Sequence, residues 1–194
     1  MRRTALLLAL AAALPSAFAA VPARADLNLF GDYYSNIPRA VEQGDAGTVQ
    51  RLLADGVNPQ QLDEKNRTGL VVAALTGNLQ IFAMLMKAGA RLDIPDPLGN
   101  TPLHYAADRN RAEMVKLMLA LHAPIDAENK GGITPLMMAA SHGNVEVVEM
   151  LLAGGANPKK NDYTGRDALG WARDSRKPNV VNAIEHAAAV APKR

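Results

Sequence analysis

Residues 101–107 read TPLHYAA, and this heptapeptide recurs in related form at a constant spacing of 33 residues. One step forward lies TPLMMAA, residues 134–140, and one step back lies TGLVVAA, residues 68–74. Two weaker copies, SNIPRAV at 35–41 and DALGWAR at 167–173, extend the series at both ends. A fixed period of this length indicates stacked repeats, each of which is one small supersecondary unit.

Each copy carries the signals of a helix start and a helix end. Thr101 can cap a helix N-terminus with its hydroxyl, and Pro102 suits the first helical position. Ser35 and Thr68 keep the cap without the following proline. A second amphipathic helix is predicted to follow the first after a turn that favours a left-handed residue. This turn falls at Gly44, Gly77 and Gly143, with Asn110 and Arg176 as substitutes in the same column.

The period and the TPLH motif resemble the ankyrin-repeat family over roughly residues 35–186. The resemblance implies an all-α solenoid of about five 33-residue helix-turn-helix repeats, joined by short turns and hairpin-like loops. It also implies that His104 is a structural residue that ties adjoining loops together by hydrogen bonds. The other copies have no histidine here, because the matching positions hold Pro38, Val71, Met137 and Gly170.

The first residues have the pattern of a secretory signal peptide. Two arginines precede an apolar run over residues 5–14, which is too short to span a bilayer. The A-x-A rule places the cleavage after Ala25 or after Ala19. Removal of residues 1–25 leaves 18 basic against 19 acidic residues, a net charge of −1. We therefore expect a periplasmic or secreted protein with no nucleic-acid partner and no membrane insertion after leader removal.

The mature chain divides into three predicted parts. Residues 26–34 (DLNLFGDYY) are too apolar for a flexible tail, so we expect them to form an N-terminal capping segment. The ankyrin-repeat domain is predicted over residues 35–188, with a second helix of the last repeat from Pro178 to about Ala188. Residues 189–194 are predicted to be a frayed tail. The repeats are expected near residues 30–62, 63–95, 96–128, 129–161 and 162–188.

The sequence offers no pattern for catalysis or for a cofactor. It has no cysteine, no nucleophile motif and no glycine-rich phosphate loop, so we expect neither an enzyme nor a cofactor. The four histidines lack metal-ligand spacing. Copper handling through Met and His is the alternative hypothesis, although most methionines fall in phase with core columns of Leu and Val. The methionines beyond the leader are Met84, Met86, Met114, Met118, Met137, Met138 and Met150.

The resemblance implies a protein partner, because ankyrin proteins typically bind other proteins through loop tips and the inner helices of a concave face. We expect a monomeric, non-catalytic interaction module whose partner is unidentified; narrower versions are an inhibitor or immunity protein and a support factor for a periplasmic enzyme. One column, which we call the concave stripe, holds side-chain types common in binding hot spots. It consists of Arg39, Val72, Tyr105, Met138 and Trp171.

Two interpretations of the concave stripe stay open: it anchors a partner, or it packs against neighbouring repeats. Loop tips and first-helix ends supply the other candidate contact residues. These are Arg67, Leu98, Asn100, Asp108, Arg109, Ile133, His142, Tyr163 and Arg166.

Overall fold

A computed structural model describes residues 36–190, which form ten short α-helices in five successive pairs. Within that range strand-like pairing is limited to one isolated antiparallel bridge, between Leu62 and Thr68. The predicted all-α solenoid is therefore confirmed. In chain order the helices are α1 (Ile37–Glu42), α2 (Ala46–Ala54), α3 (Gly69–Thr76), α4 (Leu79–Lys87), α5 (Pro102–Asp108), α6 (Ala112–Ala120), α7 (Pro135–His142), α8 (Val145–Ala153), α9 (Ala168–Asp174) and α10 (Pro178–Val190).

Several predictions fall on residues outside the described range. They are the signal peptide over residues 1–25, the capping segment over residues 26–34, the cap at Ser35 and most of the predicted tail. The start of that tail is corrected, because Ala189 and Val190 belong to α10. The reason is local: alanine is the strongest helix former, and the next helix breaker in the sequence is Pro192.

The first helices begin at polar caps, and the cap of α1 differs from its prediction. Thr68 caps α3, since its side chain accepts the N–H of Val71 at 3.3 Å. In the first repeat the cap is Asn36, one residue after the predicted Ser35, and it accepts the N–H of Arg39 at 2.8 Å. Pro38 favours the shift: the bond that Thr68 accepts comes from the third residue after it, and Ser35 has Pro38, which lacks an N–H, at that position.

The turns after the first helices are left-handed, as the column of glycines predicted. Gly77 and Gly143 have φ values of 79° and 81°. Asn110 and Arg176 adopt the same conformation at 53° and 56°, so their predicted role as substitutes is confirmed. The turn geometry is therefore kept even where the sequence does not supply glycine.

One hydrophobic cluster runs along the whole stack. Each first helix packs against the first helix of the next repeat, from α1 through α3, α5, α7 and α9. Small residues at this contact let the helices approach closely, and the second helices add larger apolar side chains from outside. Three of the methionines, Met114, Met118 and Met137, are buried in this cluster.

Candidate partner-binding surface

The loops that lead into α3, α5, α7 and α9 each begin with an aspartate or asparagine whose side chain folds the loop. At Asp96, Oδ1 accepts the backbone N–H groups of Leu98 and Asn100, each at 2.9 Å. The same pair of bonds recurs in three other loops, so all four share one conformation. We call these loops, residues 63–67, 96–100, 129–133 and 162–166, the tip loops; they begin at Asp63, Asp96, Asn129 and Asp162.

Backbone hydrogen bonds join the last three tip loops to one another. The N–H of Lys130 donates to the carbonyl of Leu98, and the N–H of Tyr163 donates to the carbonyl of Gly131, both at 3.0 Å. The first tip loop cannot join in the same way, because Pro97 has no N–H to donate. We call the three joined loops, residues 96–100, 129–133 and 162–166, the tip ridge.

His104 belongs to this scaffold, which confirms the role that the resemblance implied. Its buried ring accepts the N–H of Thr101 on Nδ1 at 3.1 Å, and its Nε2 lies 2.9 Å from the carbonyl oxygen of Ile133. Because a backbone N–H can only donate, Nδ1 is unprotonated and Nε2 donates to Ile133. Burial lowers the pKa of His104 below its ordinary value of 6.5, which keeps the imidazole neutral. The ring therefore ties α5 to the next tip loop.

Two aromatic residues of the concave stripe are also tied to tip loops. The hydroxyl of Tyr105 donates to the carboxylate of Asp96, and the indole N–H of Trp171 donates to Asp162 at 3.1 Å. Burial, reinforced by the Asp96 carboxylate, raises the pKa of Tyr105. Both rings are half-buried. Each ring is a strut between a first helix and its tip loop, and only its exposed edge can reach a partner.

Two predicted contact residues are buried, and the structure corrects both. Val72 is 1% exposed, because its short apolar side chain lies within the hydrophobic cluster. Asn100 is 5% exposed; it donates to the Tyr105 hydroxyl at 3.3 Å and accepts from the amide of Asn129 at 2.9 Å. These bonds use Asn100 inside the tip ridge, so it positions Tyr105 and does not face a partner.

Arg166 covers one face of Trp171. Its guanidinium carbon lies 4.0 Å from the ring centroid, and its nitrogens lie 3.4 Å from carboxylate oxygens of Asp162 and Asp174. Burial by itself would raise the pKa of Asp162, but hydrogen bonds from Thr164 and Arg166 outweigh it and lower that pKa to about 2. Arg166 therefore makes its contacts within its own repeat, and its guanidinium group covers one face of the Trp171 indole.

Charged side chains at the other end of the concave stripe pair with one another. Arg67 lies 2.7 Å from Asp63 and 3.4 Å from Glu42. Together with Arg39, Glu64 and Lys65, these residues line a cleft of about 240 Å³ between α1 and the first tip loop. Its positive and negative side chains balance, so the cleft favours no single class of charged ligand.

Asp108, Ser141 and His142 meet at the ends of the first helices, but they do not form a catalytic relay. The Nδ1 atom of His142 lies 3.3 Å from Asp108, 3.0 Å from the Ser141 hydroxyl and 3.1 Å from the Met138 carbonyl. A serine nucleophile needs its base on one ring nitrogen and the carboxylate on the other. Here all three oxygens surround the same nitrogen. Arg109 lies beside Asp108 at 3.2 Å, which gives a polar contact surface.

The most exposed apolar side chains of the predicted surface lie on the tip ridge. Tyr163 is 73% exposed and Leu98 is 63% exposed. Among the remaining candidates, Arg109 and His142 are exposed, and the half-buried ones are Arg39, Arg67, Tyr105, Asp108, Ile133, Met138, Arg166 and Trp171. The structure thus links Tyr105 and Trp171 of the concave stripe to the tip loops, and it places the most exposed apolar side chains of the predicted surface on the tip ridge.

No group of three or more His, Asp or Glu side chains with the geometry of a metal site occurs in residues 36–190. Over the same range, no helix has the length and apolar character needed to cross a membrane. The partly exposed methionines, Met84, Met86, Met138 and Met150, are distributed over three helices, α4, α7 and α8.

Comparison with known proteins agrees with this architecture. A family model described as ankyrin repeats (3 copies) matches residues 38–129 and 119–191, so the chain belongs to the ankyrin-repeat family. It is 42% identical over 66 residues to the potassium channel GORK of Arabidopsis thaliana, a match that covers 34% of this chain and 8% of the channel. It is 39% identical over 70 residues to the putative palmitoyltransferase ZDHHC13 of Danio rerio, covering 36% of this chain and 11% of that protein. The chain therefore corresponds to a small part of these relatives.

Proposed function

We propose that this protein is a non-catalytic interaction module that presents the concave stripe and the tip ridge to a partner protein. One observation carries the proposal: Leu98 and Tyr163 are large, apolar and well exposed on loops that side-chain and backbone hydrogen bonds hold in place. An exposed apolar side chain gains free energy when a partner covers it. Because these loops are already ordered, little conformational entropy is lost on docking.

We also propose a cellular location and an oligomeric state for this protein. The leader-like residues 1–25 support export, so we place the protein in the periplasm or outside the cell as a monomer. The partner is then an exported protein. An enzyme that this module inhibits or supports fits a rigid, non-catalytic surface. Mass spectrometry of the protein from its native cell envelope tests the export, because a mature N-terminus at residue 20 or 26 is expected.

A crosslinked pull-down from envelope extract tests the binding surface. The bait is the protein produced from its full sequence, compared with a Leu98→Ala/Tyr163→Ala variant. Leu121→Ala is the matched control, since Leu121 is also an exposed leucine (42%) but lies at the C-terminal end of α6 and belongs to none of the tip loops. We expect one protein to be captured by the wild type and by the control and to be lost with the ridge variant. Equal capture by all three would contradict a role for the ridge.

A further inference from the structure

The tip ridge presents three side chains in a fixed order. Leu98, Lys130 and Tyr163 lie on successive tip loops, and the backbone bonds between these loops start or end at each of them. Close packing of the loops fixes the relative positions of these residues. A Cβ atom on Gly99 would lie 2.7 Å from the backbone nitrogen of Lys130, and one on Gly132 would lie 2.6 Å from the Tyr163 ring. The order along the ridge is therefore apolar, cationic, apolar.

Lys130 carries a positive charge on the tip ridge that is available to a partner. It is exposed, and among residues 36–190 its ammonium group has neither an ion pair nor a side-chain hydrogen bond. The other charged groups of the three loops are engaged. Asp96 accepts from Tyr105, Asp162 accepts from Trp171, and Arg166 bonds Asp162 and covers the indole.

The first tip loop differs in this respect. Its exposed Lys65 follows the exposed carboxylate of Glu64, and its Arg67 is paired with Asp63 at 2.7 Å. Positive and negative groups therefore offset one another over residues 63–67, which include no apolar side chain; the exposed Leu62 precedes them. On the tip ridge, by contrast, Lys130 has no acidic residue within its own loop and lies between the exposed Leu98 and Tyr163.

We propose that the tip ridge binds a partner segment that carries an acidic side chain between two large apolar side chains. This inference rests on the proposed function and names the chemistry of its partner. The carboxylate meets Lys130, while the apolar residues cover Leu98 and Tyr163. The apolar contacts supply most of the affinity, and the charge pair selects the segment, because complementary charge contributes more to specificity than to affinity.

A displayed library of random peptides tests this chemistry directly, whatever the identity of the natural partner. It is selected on the protein produced from its full sequence and, in parallel, on Lys130→Glu. Selection on the wild type is expected to enrich Asp or Glu flanked by large apolar residues. Selection on Lys130→Glu is expected to replace the acid with Lys or Arg at the same place. The variant should fold like the wild type, because Lys130 is exposed and unpaired within residues 36–190.

One enriched peptide, synthesised with a fluorescent label, then gives dissociation constants by polarisation. Lys130→Glu is expected to weaken binding roughly five- to tenfold, consistent with an exposed charge pair that is reversed. Lys116→Glu is the matched control, since Lys116 is an exposed lysine on α6 and should bind like the wild type. A peptide with lysine in place of its acid should recover affinity for Lys130→Glu.

The outcomes separate this inference from the proposed function. Enriched peptides without an acid, or peptides whose affinity is the same for the wild type and Lys130→Glu, overturn the inference. If such peptides still lose affinity with Met138→Ala or with Arg39→Ala, the concave stripe is the site and the proposed function stands. If neither the wild type nor the variant enriches any peptide above the unselected library, the inference is overturned. That result would also count against the proposed function.

Discussion

Two substitutions at His104 separate the two hydrogen bonds of its imidazole. His104→Met and His104→Leu have similar volumes, and only methionine keeps an acceptor. Met137 occupies the equivalent position in the next repeat, and its sulfur accepts the N–H of Thr134 at 3.4 Å. We therefore expect methionine at 104 to accept the N–H of Thr101, and leucine to leave it without a partner.

The magnitudes follow from what each group loses. Both variants lose the bond to the Ile133 carbonyl, but this oxygen also accepts the N–H of Asn129 at 3.0 Å, so the expected cost is about 1 kcal/mol. His104→Leu also leaves the buried N–H of Thr101 unsatisfied, which adds about 2 kcal/mol. The free energy of unfolding should therefore decrease by about 1 kcal/mol for methionine and about 3 kcal/mol for leucine.

Urea unfolding followed by far-UV circular dichroism at pH 7.5 measures both values. Equal stabilities for the two variants would refute the role of Nδ1 as an acceptor. A second readout is pH. The folded-state pKa of His104 is lowered, so the unfolded chain takes up a proton at a higher pH than the folded one. Stability of the wild type should therefore fall as pH drops below about 6.5, and neither variant should show this part of the loss.

Two further predictions concern the tip ridge and the last repeat. Because the folded-state pKa of Asp162 is lowered to about 2, its contribution to stability is present above the ordinary value of 3.8 and is lost as pH falls toward 2. Fluorescence of Trp171, the only tryptophan, should report this loss, and Asp162→Asn should remove it. Gly132→Ala should destabilise the fold more than Gly165→Ala: both have positive φ, about 1 kcal/mol of strain each, but only Gly132 approaches Tyr163. Equal melting temperatures for the two variants would show that the tip loops relieve the contact between residue 132 and Tyr163 without a loss of stability.

Helix starts and turns could be predicted because their signals are local. A cap, a proline or a left-handed residue acts within a few positions of the chain, so Thr68 and Asn110 have the predicted roles. The cap of α1 was predicted one residue too early, although the reason, the missing N–H of Pro38, was also in the sequence. Periodicity points to Ser35 as the cap, whereas the missing N–H of Pro38 favours Asn36.

The column of loop residues was visible at the same spacing, yet its role was not predicted. Asp63, Asp96, Asn129 and Asp162 accept N–H groups only after the loop has turned around them. The concave stripe shows the same limit. Tyr105 and Trp171 stand out in a sequence with few aromatic residues, but their bonds to Asp96 and Asp162 depend on how each loop returns to its helix.

The repeat, its period and its helix-turn-helix unit can be read from the amino-acid sequence, because they follow from residue types at fixed spacing. The structural role of His104 came from the resemblance to the ankyrin-repeat family. Which side chains of the predicted surface are exposed became clear from the three-dimensional structure. Val72 and Asn100 are buried, whereas Leu98 and Tyr163 are exposed. The physical reason is that exposure depends on what neighbouring repeats cover and on which hydrogen bonds a side chain has already made, and both are set when the repeats stack.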